Sequence, residues 1–183
     1  MANILVVYGT FAGHTGKIAE CIGAALRARK HEVSVYDGKM LPPEFMLHMY
    51  DAALFGASVH MAQHEEYIVR LVKAHRAWLN QVPSAFFSVS LMRSGQLSHH
   101  RSQAEEYLRT FLADVEWRPM LTATFGGALP FSQYNFAQRF ITAALARRAL
   151  GAVNPNRDSE YTIWDDVVRF ADDFLATWAA RQS

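Results

Sequence analysis

Ile4-Leu5-Val6-Val7-Tyr8 runs into Gly9-Thr10-Phe11-Ala12-Gly13-His14-Thr15-Gly16, and then into Lys17-Ile18-Ala19-Glu20-Cys21. The first segment is a continuous apolar run of β-formers that stops at Gly9, and an apolar period of 3.6 residues begins just after Gly16. The stretch reads as a strand, a turn of small and hydroxyl residues, and a helix that opens onto the turn. Such a turn leaves backbone N–H groups unpaired at the positive end of the helix dipole. Thr10 and Thr15 add hydroxyl donors, and Gly13 and Gly16 allow close backbone approach. The guest that this chemistry suits is a phosphate.

Two familiar phosphate loops are excluded. Phe11 stands where the dinucleotide fingerprint Gly-x-Gly-x-x-Gly needs its second glycine. Gly16-Lys17 is followed by Ile18 and not by the Ser or Thr of an ATP-type loop. What remains is Thr10-x-x-Gly13-x-Thr15 directly after the first strand. This pattern resembles the flavodoxin phosphate loop for FMN, while an ordinary βα turn is the plainer reading of the same residues.

Working outward, the 183 residues suit one domain, 1–183, able to bury a substantial core. Hydrophobic residues make up 51% and the net charge is +1, values of a globular chain and not a disordered one. Cys21 is the sole cysteine, so no internal disulfide forms, and its helical phase predicts a buried, inert thiol in a reducing cytoplasm. The N-terminus shows no signal-peptide pattern, and no apolar run reaches the length of a membrane span.

Further along, Ile18, Cys21, Ile22, Ala25 and Leu26 form a helical stripe, and Glu32–Tyr36 alternates as a second strand. Ala52–Gly56 reads as a buried third strand leading into Ala57-Ser58-Val59-His60. Tyr67, Ile68, Leu71, Val72, His75 and Leu79 mark a second helix, and Ala85–Val89 a fourth strand. Ala104, Tyr107, Leu108, Phe111 and Leu112 mark a third helix, Leu121–Phe125 a fifth strand, and Trp164–Trp178 the last helix. Strands that alternate with helices and are apolar throughout predict a parallel sheet covered on both faces. The expected architecture is α/β, a doubly wound five-stranded parallel sheet of flavodoxin-like order 2-1-3-4-5. In that topology the loops after strands 1, 3 and 4, at Gly9, Gly56 and Ser88, converge on one crevice.

The connection from about 129 to 160 is too long for a simple loop and reads as an insertion after strand 5. From Leu129 to Arg157 it holds arginines at 139, 147, 148 and 157 and no acidic residue. It also carries Phe131, Tyr134, Phe136, Phe140 and Ile141. An apolar, cationic segment beside a crevice predicts a surface for a lipid-like substrate or a membrane face. A helix packed on its own domain, or against a second copy of the chain, is the alternative.

Other constellations carry less. His60, His64 and Glu65 do not match the zinc-protease spacing, and no metal site is expected. His60 is expected to line the crevice, and His99-His100 to be solvated. There is no Gly-x-Ser-x-Gly elbow and no basic stripe of the kind that binds nucleic acid.

Several stretches occur together in order: Gly56-Ala57-Ser58-Val59, Pro83-Ser84-Ala85-Phe86-Phe87-Ser88-Val89-Ser90-Leu91, Trp117-Arg118-Pro119, Gly127-Ala128-Leu129 and Tyr161-Thr162-Ile163-Trp164. On these the chain resembles the menaquinone-dependent protoporphyrinogen IX dehydrogenases, a flavodoxin-like family, over almost its whole length. It departs from the family's pattern at the uncharged Phe11-Ala12, and after Gly127-Ala128-Leu129, where Pro130–Tyr134 lacks arginine. The resemblance implies FMN as cofactor, a porphyrinogen and a quinone as substrates, and flavin chemistry with no indispensable side-chain acid or base. It also implies a cytoplasmic protein that can lie peripherally on the inner face of the cell membrane.

On that basis the cofactor-binding residues are expected to be Thr10, Phe11, Ala12, Gly13, His14 and Thr15 for the phosphate. Ala57, Ser58, Val59 and His60, with Ser88, Val89, Ser90 and Leu91, are expected at the flavin ring. Leu129, Phe131, Tyr134 and Arg139 are expected to face substrate. Two competing readings are an NAD(P)H-fed quinone or azo reductase and a non-enzymatic electron carrier. Carriers that dock by charge are usually strongly acidic, and this chain is not.

Overall fold

The computed structural model describes residues 1–183 apart from 44, 95–97, 134, 136–138, 140, 141, 145, 148, 149, 152 and 183. The elements in order are β1 (Asn3–Gly9), α1 (His14–Ala28), β2 (Glu32–Asp37), β3 (Ala52–His60), β4 (Gln63–His64) and α2 (Glu66–Leu79). Then come β5 (Ser84–Ser90), α3 (Ser98–Asp114), β6 (Leu121–Gly126), β7 (Ala128–Leu129), β8 (Ser159–Glu160) and α4 (Trp164–Ala180).

The main sheet runs β2-β1-β3-β5-β6 with every neighbouring pair parallel. This is the expected order, β5 and β6 being the fourth and fifth of its strands. Successive side chains of a strand point to opposite faces, and the apolar runs divide accordingly. Ile4, Val6, Leu54 and Phe87 join the layer under α1 and α4, whereas Leu5, Val7, Phe55 and Phe86 join the layer under α2 and α3. Each such fully buried side chain contributes roughly 1.5–3 kcal/mol. Both faces therefore need apolar residues, which is why these strands show no alternation.

Gly56 is required by packing. It pairs in register with Phe87, and a Cβ at this position would lie 2.0 Å from that ring.

Three expectations need correction. β3 does not end near Gly56 but runs to His60 and returns through Met61 and Ala62, at φ 49° and 66°, into the antiparallel β4. That turn carries no Asn-Gly or other glycine signal. Cys21 is only partly buried, although it packs against the first core layer. His100 is buried at 6% exposure and not solvated, since α3 begins a full turn before its apolar stripe and carries the histidine inward.

The 129–160 segment folds back on itself. β7 and β8 pair antiparallel, Leu129 opposite Ser159, and described residues between 139 and 150 are helical. Leu129, Phe131, Ala143, Ala146 and Val153 make a small core of its own. No described helix is long and apolar enough to cross a membrane.

Candidate functional site

The candidate phosphate loop sits where β1 gives way to α1, and the helix starts at His14, three residues before the apolar period that begins just after Gly16. Gly13 occupies the N-cap at φ 81°, a left-handed conformation that favours glycine, and no side chain caps the helix. Two loop amides are already used: Thr10 N–H donates to Tyr67 Oη at 2.8 Å and Phe11 N–H to Ser58 Oγ at 3.1 Å. The amides of Ala12, Gly13, His14 and Thr15 have no acceptor among the described residues. The side-chain hydroxyls of Thr10 and Thr15 are likewise buried without a partner there. A buried, unpaired hydroxyl costs free energy, and two of them beside an uncapped helix N-terminus fit the oxygens of a phosphate. Burial raises the Tyr67 phenol to about 12, so it stays protonated and can brace the loop as a neutral group.

Thr10, Phe11, Ala12, His14 and Thr15 line one cavity of about 110 Å³ together with Ser58, Val59, His60, Val89, Ser90, Leu91 and Leu129. Three loops far apart in sequence thus meet, as the switch-point topology requires. At the mouth, Phe11 and His60 stack with ring centres 4.1 Å apart and planes 9° apart. Ser58 is held in turn by donating to Glu65 Oε1 at 3.1 Å.

Not every expected side chain reaches the cavity. Gly13 and Ala57 are not among its lining residues, Ala57 being fully buried in the layer under α2 and α3. Ser88 also points away: its Oγ meets His64 Nε2 at 2.8 Å on the α2–α3 side, because strand side chains alternate. Phe131, expected to face substrate, is fully buried in the small core of the 129–160 segment. Arg139 spends its Nε and Nη2 donors on Pro155 O, at 3.3 and 3.0 Å. Tyr134 lies outside the described residues.

The cavity has further walls that the sequence reading did not assign, namely Gly127, Ala128 and Thr142. Gly127-Ala128 belongs to one of the stretches that carry the family resemblance, so the sequence holds a signal for it. Thr142 carried none.

His14 links this loop to the far end of the chain. Thr162 Oγ1 donates to Gly126 O at 2.7 Å, so His14 Nε2–H must donate to Thr162 Oγ1, 2.6 Å away. The other ring nitrogen lies 3.7 Å from Glu160 Oε2. Burial lowers the His14 pKa, Glu160 pulls it back up and Lys17 adds to the lowering. Among the described residues no three His, Cys, Asp or Glu side chains group as a metal site.

The chain is similar to known proteins in sequence and in fold. The pattern of the flavodoxin domain family matches residues 5–153. A protoporphyrinogen IX dehydrogenase [quinone] of Leishmania major is 33% identical over 94% of this chain and 74% of its own length. Its counterpart in Escherichia coli K12 is 29% identical over 91% of each chain. The crystal structure of oxidised flavodoxin 1 from Bacillus cereus superposes with a TM-score of 0.57, covering 95% of this chain and 97% of that one at 14% identity.

Proposed function

Because the chain belongs to the flavodoxin domain family, we propose that it is an FMN-dependent oxidoreductase that converts protoporphyrinogen IX to protoporphyrin IX with a quinone as acceptor. The step belongs to haem biosynthesis. The observation that carries the reading is the pair of buried hydroxyls, Thr10 and Thr15, that have no partner among the described residues and lie beside the start of α1.

In this reading the Thr10 and Thr15 hydroxyls and the amides of Ala12 to Thr15 hold the FMN phosphate. The chemistry that FMN supplies when bound is oxidation of the porphyrinogen, with a quinone taking up the electrons. The chain positions and excludes water. Ser58–His60 and Val89–Leu91, which line the same cavity of about 110 Å³ as the loop, offer backbone to the ring. The 129–160 segment contributes Leu129 and Thr142 to the same wall and so stands where a large apolar substrate would arrive. We read its exposed arginines, Arg147 and Arg157, as the contact with an anionic membrane carrying the quinone.

The deciding assay gives FMN-loaded protein protoporphyrinogen IX with a menaquinone analogue, and in parallel NADPH with the same quinone. Turnover in the first arm and not the second is expected. The opposite pattern makes it a pyridine-nucleotide reductase.

A further inference from the structure

A second cavity of about 200 Å³ adjoins the crevice. No residue lines both, but the two lie on the same turns: Leu91 and Gly127 line the crevice, while Ser94 and Gly126 line the second cavity. Its polar lining is cationic. Arg93 is pinned by Nε donating to Thr124 O at 3.2 Å, and its terminal nitrogens have no partner among the described residues. The Arg101 guanidinium has neither a hydrogen bond nor an ion pair among those residues, although it lines the cavity. Ser94 Oγ is buried and equally without a partner. One carboxylate is present, Asp166, and Arg169 already engages it at 3.2 Å. Phe125, Tyr161 and the exposed side chain of Ile163 supply an apolar flank.

Two guanidiniums and an unmated hydroxyl, unopposed by a free carboxylate, match the paired oxygens of a carboxylate or phosphate. Gly126 lets Ser94 and the Tyr161 backbone close in to form this wall of the cavity, because a Cβ there would lie 2.6 Å from Ser94 Oγ and 2.3 Å from Tyr161 O. We propose that this cavity is an oxyanion site formed by Arg93, Arg101 and Ser94. Resting on the function proposed above, its occupant is a propionate carboxylate of the porphyrin, whose ring system lies toward the neighbouring crevice. Arg101 is then a specificity residue for a carboxylate-bearing substrate.

The test titrates full-length, FMN-loaded protein with protoporphyrin IX and with its dimethyl ester in mild detergent, following porphyrin fluorescence. The ester keeps the ring and lacks the charges. Wild type should bind the diacid at least about tenfold more tightly than the ester. Arg101→Gln should weaken diacid binding by about three- to tenfold, and Ser94→Ala should weaken it less. Both should leave ester binding and FMN retention unchanged. Arg101→Lys, which keeps charge but not the fork geometry, should fall between and serves if the Gln variant fails to fold. Unchanged diacid affinity in these variants overturns the proposal. If wild type binds neither porphyrin, the proposed function fails and inorganic phosphate becomes the probe. A thermal shift with phosphate that depends on Arg101 then keeps the oxyanion site with free phosphate as its source. No such shift overturns the site as well.

Discussion

His14 Nε2 and Thr162 Oγ1 lie 2.6 Å apart although 148 positions separate them in the chain. Thr162 passes the connection on to Gly126 O. One threonine therefore fixes the tautomer of His14, at the start of α1, and clasps the end of β6 to the segment that opens α4. Thr162→Val keeps the shape and removes both bonds, leaving a largely buried N–H and a carbonyl unpaired. The expected loss is about 1–3 kcal/mol of stability. Urea unfolding of the apoprotein measures it, with Thr162→Ser as the control that should recover most of the loss. Equal stability of the Val and Ser variants would place water, and not Thr162, at these groups.

Thr15 should show effects of opposite sign in the two states of the protein. Its hydroxyl is buried without a partner among the described residues. Thr15→Val should therefore leave the apoprotein as stable as wild type or slightly more so. FMN affinity should fall roughly ten- to a hundredfold, since a hydrogen bond to a charged group is worth about 1.5–3 kcal/mol. Apoprotein melting and flavin-fluorescence titration give the two readouts. An unchanged dissociation constant would remove the hydroxyl from the phosphate cradle.

The sheet was legible because a parallel strand covered on both sides is apolar almost throughout, as Ile4–Val7 and Ala85–Phe87 are. The turn from β1 into α1 was legible because its left-handed residue, Gly13, is a residue-specific demand on the sequence. The β3–β4 hairpin was not, since Met61 and Ala62 adopt positive φ without a glycine to announce it. Arg139 shows the limit of counting charges: its guanidinium is a cation in composition, yet a backbone carbonyl takes two of its donors. Trp117, one of the residues behind the family resemblance, lies far from any ligand role. It is buried and donates to Ser84 Oγ at 3.1 Å, so that motif records packing of the sheet and not the crevice.

Acid should weaken the fold through His64. Its ring is buried between Phe86 and Phe111, with ring centres 5.5 and 4.8 Å away, and burial pushes its pKa down to about 4. An unfolded histidine titrates near 6.5. Between about 6.5 and 4 the unfolded chain binds more protons than the native one, so stability is lost as pH falls through that window. His14 and His31, also lowered chiefly by burial, add the same sign. His64→Gln keeps a donor for Ser88 and does not titrate. The variant should lose roughly 2 kcal/mol less than wild type between pH 7 and pH 4.5, measured by urea unfolding at both values. Parallel losses would clear His64 of the acid transition.

The membrane reading of the 129–160 segment turns on which of its arginines are available. Arg139 is engaged by Pro155 O, so reversing it would damage the segment and prove nothing about lipid. Arg147 and Arg157 are exposed, and the small core of Leu129, Phe131, Ala143, Ala146 and Val153 does not depend on either. Each cation near an anionic surface contributes about 1 kcal/mol. The Arg147→Glu, Arg157→Glu double variant should therefore bind phosphatidylglycerol vesicles at least about thirtyfold more weakly in sedimentation at low salt. High salt should weaken wild type toward the same level, because screening acts over about a Debye length. FMN affinity should not change, since neither arginine lines the crevice. If wild type sediments with neutral and anionic vesicles alike, or with neither, the arginines serve another purpose. The segment's exposed face would then be packing for a second copy of the chain, which sedimentation equilibrium of the same double variant would report as a change in mass.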